Sequence, residues 1–370
     1  MPTGMMLRKK YRLRRIKYQL LIRYLTRKIF YALLVLAGVV CIVFFLFQGF
    51  GDPARLVLGQ TGDSATIQNI RKELYLDQPK WKQFVYYVKD ISPVSVHSAQ
   101  EIEQKKLKGL FIGNEKISFA IKLPYLRHSY QTKRDVLNIL MEALPGTLLL
   151  AVAAMLFATI TGIALGVLAA VKQNTWMDTS AVFTSVLGIS APSFFMGILI
   201  AYFFAVVLGP YTGLNLTGSY FEYDDYTGEK YIVIKNLILP ALTLGIRPLA
   251  IITQLTRSAM LDVLNQDYIR TAYAKGLSRR KVIFKHALRN ALNPVLTAVT
   301  GWFAELLAGA FFVEYIFGWK GIGKITVDAL DKLDFPVVMG SVLVTATLFV
   351  VINILSDVLY SIVDPRVKTT

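Results

Sequence analysis

The 370 residues are 54% hydrophobic, with a mean hydropathy of +0.48 and a formal charge of +17 from 41 Lys and Arg against 24 Asp and Glu. Such an apolar excess excludes an ordinary soluble domain, and several runs reach the roughly 20 residues that cross about 30 Å of hydrocarbon. The single Cys41 excludes a disulfide framework and a thiolate metal site. Nucleic acid is excluded by where the charge sits: Arg8, Lys9, Lys10, Arg12, Arg14, Arg15 and Lys17 crowd ahead of the first apolar run, as a positive-inside flank does.

Residues 1–28 are expected to be a basic cytoplasmic N-terminus, followed by a first transmembrane helix at 29–48. That run is too long for a signal-peptide core and no small-residue cleavage site follows it, so the helix is expected to be retained. Residues 49–141 are polar and must then be extracytoplasmic. Within them, about 91–122 forms a charged piece around Glu101-Ile-Glu-Gln-Lys-Lys-Leu-Lys108, read as a solvated decoration or an added contact for a docking partner. A core of five further spans is expected over 142–363. The second runs from Leu144 to about Val171, with Gly162 and Gly166 spaced for close helix contact. The third covers roughly Ser180–Leu208, where Pro192 can bend the helix. The fourth covers Leu237 to about Leu255, the fifth Pro294 to about Val313 and the sixth Val337 to about Val363; 364–370 is a short tail. Six spans with both termini inside put the short basic segments on one face, as the positive-inside rule requires.

Between the fourth and fifth spans, residues 257–293 form a basic island. Ile269, Ala272 and Tyr273 fall at i, i+3, i+4, so the first part reads as an amphipathic helix. Gly276 offers a left-handed residue to close it and Ser278 can cap a second short helix, in which Val282, Ile283 and His286 repeat the spacing. Pro294 marks the start of the next apolar run.

This helix-Gly-helix pattern resembles the EAA coupling loop of type I ABC importer permeases, and in particular the B-type subunit of the oligopeptide, dipeptide and nickel branch. Gly276 fits that family's glycine, Ala272 its second alanine and Leu288 its later leucine; Arg270 and Thr271 stand where Glu and the first Ala are usual, and Arg289 where Pro is. Further resemblances run in order along the chain: Gly51-Asp-Pro53, Leu76-Asp-Gln-Pro79, Ser190-Ala-Pro-Ser193, Leu239-Pro-Ala-Leu-Thr-Leu-Gly245 and Asp364-Pro-Arg366. They cover nearly everything except 1–20 and about 91–122. The resemblance implies an all-α integral membrane protein with the type I ABC importer permease fold, in a bacterial inner membrane. It implies a second homologous permease, two ABC ATPase subunits and an extracytoplasmic substrate-binding protein as partners. It also implies that Arg270, Thr271, Ala272, Lys275, Gly276, Ser278, Arg279, Arg280 and His286 meet the ATPase. The function implied is half of the pathway of an ATP-driven peptide importer.

No catalytic or cofactor site is expected. Gly318-Trp-Lys-Gly-Ile-Gly-Lys324 has the glycines and lysine of a phosphate loop, but Ile325 stands where a Mg²⁺-binding hydroxyl is needed and no strand pattern precedes it. In the family this is an external turn, usually with a proline where Lys320 stands. His97, His128 and His286 lie far apart without a carboxylate spacing that would make a metal site, and no nucleophile–histidine arrangement stands out. Charges inside spans are the informative exceptions. Arg247 in the fourth and Glu305 in the fifth are expensive in hydrocarbon and are candidates for a translocation cavity, facing it or each other. Asp357, near the end of the sixth, is expected to face water or a neighbouring subunit. An ion-coupled secondary transporter is the alternative class; it calls for inverted repeats or broken helices bearing ion ligands. A membrane-tethered receptor is a third, for which six spans are more than an anchor needs.

Overall fold

The computed structural model describes residues 3–49, 68, 71, 75–114, 116–224 and 227–363. The motif at Gly51–Pro53 and the ending Asp364–Arg366 lie outside them. In chain order the larger elements are α1 (Thr3–Gly49), α2 (Lys80–Ile91), β1 (Val94–His97), α3 (Ala99–Gln104), β2 (Gly109–Gly113), β3 (Ser118–Lys122), α4 (Val136–Val171), α5 (Trp176–Ser190), α6 (Ser193–Ala201), β4 (Phe221–Tyr223), β5 (Lys230–Ile232), α7 (Lys235–Leu264), α8 (Asp267–Ala274), α9 (Leu288–Ile316), α10 (Ile322–Asp331) and α11 (Phe335–Val363). Two compact units result: Met1–Leu36 with Leu148–Trp319 and Thr347–Thr370, and Ala37–Thr147 with Lys320–Ala346.

Among the described residues, four stretches are long and apolar enough to cross a membrane unbroken: Thr26–Gln48, Val136–Val171, Lys235–Leu264 and Phe335–Val358. Two bent pairs raise the count to six. The first pair gives the size of the bend expected at Pro192 in the third span: α5 and the run Ser193–Val207 meet at 111°. Proline explains the break, because it removes a helical N–H and pushes the residue before it out of the helical region. Ala191 accordingly sits at φ −77°, ψ 132°, and Pro192 at φ −60°, ψ 136°. The second pair bends by 55° between Leu307 and Ala310. Pro145, Pro240, Pro248 and Pro294, by contrast, lie inside continuous helices.

In the first unit α7 is the central element. Gly162 and Gly166 of α4 face it so closely that a Cβ at Gly162 would lie 2.9 Å from Ile252 Cγ2, and one at Gly166 2.5 Å from Thr256 Cβ. Gly245 returns the favour, since a Cβ there would lie 2.8 Å from the Ala154 carbonyl oxygen. Small residues let backbones approach where lipid gives no hydrophobic drive to association, so dispersion contacts hold the pair. Leu150, Ala154, Ala158, Leu239, Ile252, Leu307, Ala310 and Trp319 complete the buried core. Lys28 of α1 pairs with Asp357 of α11 at 2.7 Å, and the Asp357 side chain stays 36% exposed.

In the second unit the all-α expectation needs a correction. The charged piece at about 91–122 folds as an antiparallel sheet of order β1-β3-β2. Cross-strand rows Val94–Ile121–Leu110 and Val96–Phe119–Ile112 form one face, and all six side chains are exposed. The other face carries polar groups that tie the sheet inward. Asp90, at the end of α2, binds Lys105, and its carbonyl accepts a hydrogen bond from Lys122 Nζ. Burial pulls the Lys122 ammonium down to about 8. His97 is buried between Ser95 Oγ, 2.9 Å from Nε2, and Glu101 Oε2, 3.1 Å from Nδ1. This chain of contacts was not legible in the sequence. Lys89, at 2.7 Å, shares the same carboxylate oxygen, so Glu101 serves an ion pair and the cap of α3 and is not reserved for an imidazolium. Elsewhere in the unit, Asp334 ahead of α11 accepts from Ser129 Oγ and the Tyr130 N–H, and Thr147 Oγ1 accepts from the Ile322 N–H at the start of α10.

Candidate translocation site

Two places in the first unit gather the residues singled out by sequence. The first is the basic hairpin after α7. Asp267 sits in the first turn of α8, where a negative charge suits the helix dipole, and Ile269 and Ala272 point inward. They join Val282, Ile283, Ala287 and Ala291 over Val167 and Ala170 of α4 and Met260 of α7. Ala272 therefore belongs to the packing and not to the exposed surface, because its place in the helical repeat matches Ile269. The turn closes at Gly276 with φ +74°. The Gly276 N–H donates to the Tyr273 carbonyl at 2.9 Å and the Leu277 N–H to the Ala272 carbonyl at 3.3 Å, the paired bonds of a left-handed helix stop. A Cβ at Gly276 would touch nothing, so the backbone angle alone demands glycine there.

Ser278 has the extended backbone of a cap, but its side chain makes no capping bond. The second helix is also not short. A turn at Arg279–Lys281 passes through a wider π-helical stretch, Val282–Ala287, directly into α9. Pro294 thus lies inside the helix and does not begin it. Arg270, Thr271, Lys275, Arg279, Arg280, Lys281 and Lys285 are exposed, and His286 is half-buried. Arg270 reaches Asp267 only at 3.6 Å, and Arg279 donates to the Val171 carbonyl at 3.4 Å. Tyr273, read with Ile269 and Ala272 as one apolar stripe, is instead exposed, and sequence reasoning missed the exposed aromatics Tyr268 and Phe284 among these cations.

The second place is a cavity of about 290 Å³ where α5 breaks into α6. Ser190, Ser193 and Met196 line it from the break, Arg247 from α7, and Trp302 and Glu305 from α9. Arg247 Nη1 lies 3.9 Å from Glu305 Oε1, at the outer limit of an ion pair, and the guanidinium carbon is 5.4 Å from the Trp302 ring centre. Both charged side chains remain more than half exposed, at 56% and 53%. The structure thus brings the two together across elements far apart in sequence, in a contact loose enough for either to engage a third group. Among the described residues no group of His, Cys, Asp and Glu is placed to hold a metal ion.

A bundle of apolar helices around a charged cavity, carrying a basic hairpin on its central helix, defines a multi-pass membrane transport component. The family described as the binding-protein-dependent transport system inner membrane component matches residues 162–369, and the one described as the N-terminal part of that membrane component matches 21–151. The chain belongs to this family of inner-membrane permease components. A dipeptide transport system permease protein of Alkalihalophilus pseudofirmus is 34% identical over 362 residues, covering 94% of this chain and 100% of that one. A glutathione transport system permease protein of Salmonella choleraesuis is 35% identical over 334 residues, covering 89% and 94%. An inward-facing structure of the MetNI methionine ABC transporter aligns with 62% of this chain and 97% of its own at 17% identity and a TM-score of 0.46. A permease component is a passage and not a catalyst, so the chain is not an enzyme.

Proposed function

We propose that this chain is the B-type permease of an ATP-driven importer of short peptides, in the oligopeptide/dipeptide branch, and that the cavity at the α5–α6 break lies on the substrate path. The observation that carries the substrate class is the Arg247–Glu305 pair beside Trp302. A short peptide presents a carboxylate, an ammonium and side chains, and a half-open site with one cation, one anion and an aromatic face can meet each in turn. The names of the dipeptide and glutathione permeases support the same class. The pair also favours this reading over the secondary transporter, because its loose geometry suits a passing zwitterion better than a coordinated ion.

The hairpin Asp267–Lys281, with Arg270, Lys275 and Arg280 exposed, is proposed as the surface that docks on an ABC ATPase, with both chain termini on that cytoplasmic side. A second homologous permease, two ATPases and an extracytoplasmic binding protein complete the assembly. Uptake of a labelled dipeptide by the reconstituted assembly is the test. Arg247→Leu, Glu305→Leu and the double variant are expected to slow it, and wild-type rates in all three would remove the cavity from the path. Uptake driven by an ion gradient without ATP would favour the alternative class.

A further inference from the structure

The helix α2 is built inside out. Trp81, Phe84, Val85 and Val88 recur at i, i+3, i+4, i+7, the stripe that an amphipathic helix normally buries. Here Trp81 is 66% exposed, and Val85 and Val88 are exposed as well. The opposite face, Gln83, Tyr87 and Asp90, is the buried one. Gln83 is bonded to Gln48 and to the Gln78 carbonyl, and Asp90 to Lys105. A helix that turns its amide and carboxylate toward the protein and its indole and valines away from it is arranged for a surrounding less polar than water.

Its position supplies that surrounding. Phe84 stacks on Phe45 at 6.1 Å and meets Phe44 edge-on at 5.1 Å, both near the Gly49 end of the first candidate span. Ile42, Phe45 and Leu46 of that span are exposed in the same way. The apolar stripe of α2 therefore continues the outer surface of a membrane helix. Lys80 and Lys82 sit in its first turn, Lys82 over the Trp81 ring at 5.6 Å, the combination of indole and snorkelling ammonium that favours a headgroup layer.

We propose that α2 lies in the lipid headgroup layer beside the Gly49 end of α1, with Trp81, Phe84, Val85 and Val88 facing lipid and Lys80 and Lys82 reaching phosphates. The test uses the full chain, purified with its native partners and reconstituted in vesicles of three parts phosphatidylethanolamine to one part phosphatidylglycerol. A nitroxide is placed by Val85→Cys in a Cys41→Ser background, and by Glu103→Cys on exposed α3 as the aqueous reference; Cys41→Ser alone gives the background signal. At position 85, collisions with oxygen should exceed those with a water-soluble nickel chelate, and the order should reverse at 103. A nickel excess at 85 would place the stripe in water, and suppression of both at 85 would place it under a partner protein; either overturns the assignment. A second reading needs no label: brominated acyl chains should quench the native protein more than its Trp81→Phe variant, and equal quenching would count against lipid contact.

Discussion

Helix α7 carries two arginines that each face a carboxylate on another helix, and the two pairs differ in kind. Arg257 grips Asp178 of α5 through two nitrogens, with Asp178 only 6% exposed and its second oxygen also accepting the Asn174 N–H. Arg247 approaches Glu305 at 3.9 Å with both side chains open to a cavity. A forked, buried contact uses up its hydrogen-bonding capacity, whereas a long, exposed one leaves it available. The same residue types on the same helix thus fasten the bundle at one level and leave it open to a ligand at another. The difference lies in burial and geometry, not in charge.

The largest effect expected from breaking this contrast is at the buried pair. Asp178→Leu leaves Arg257 without its partner and should lower stability by about 3 kcal/mol, read as a fall in thermal unfolding midpoint in detergent; an unchanged midpoint would mean that Arg257 finds water instead. Next comes the packing beside it. Gly166→Leu drives a side chain into Thr256 and the Thr253 carbonyl, with an expected loss of about 2 kcal/mol. If that loss exceeds the one at Asp178, close packing, and not the ion pair, is the main fastening. At the open pair the expectation reverses: Arg247→Leu should leave the unfolding midpoint within error of wild type while slowing peptide uptake several-fold. A midpoint shift as large as that of Asp178→Leu would erase the distinction.

The smallest expected effect is a pH dependence confined to the sheet, which sharpens the contrast by leaving both pairs alone. Burial and the nearby Lys89 hold His97 below its usual pKa, so stability from its neutral form is present above about 6.5 and declines as pH falls below it. Burial works to raise the Glu101 carboxyl, but Lys89, the Ser98 N–H and His97 together hold it lower, so its contribution also fades on further acidification. Hydrogen-exchange protection factors, which remove the intrinsic pH dependence of exchange, should therefore fall at β1 and β3 between neutral pH and pH 5 while those of α7 hold. His97→Gln should remove the part of that response that begins nearest neutral pH.

Features that depend on a single residue's backbone, or on spacing along one helix, were legible in the sequence. Gly276 could close a helix because glycine alone tolerates its angle freely, Gly162 and Gly166 announced a close approach, and Pro192 announced a bend. What the sequence could not convey was the size of that bend or where hydrophilic residues cease to mean a helix end. Pro294 was read as the start of the next apolar run and of the fifth span, yet the helix runs through it from Leu288. Pairings distant in sequence were likewise hidden: Lys28 with Asp357, Asp178 with Arg257, and the ring of Trp302 beneath Arg247. The sheet escaped notice because its apolar alternation, Val94, Val96, Phe119 and Ile121, faces outward within a lysine-rich segment.

The uninterrupted passage from the hairpin into α9 has a mechanical consequence. Leu288 and Glu305 lie on one helix, separated by about 26 Å at 1.5 Å per residue. A tilt of that rod by about 10°, applied where Arg279 to Lys285 meet their surroundings, sweeps Glu305 through roughly 4 to 5 Å by the same geometry. That stroke exceeds the 3.9 Å now separating it from Arg247. A tilt of that size toward or away from α7 would close or open the charge pair in the cavity.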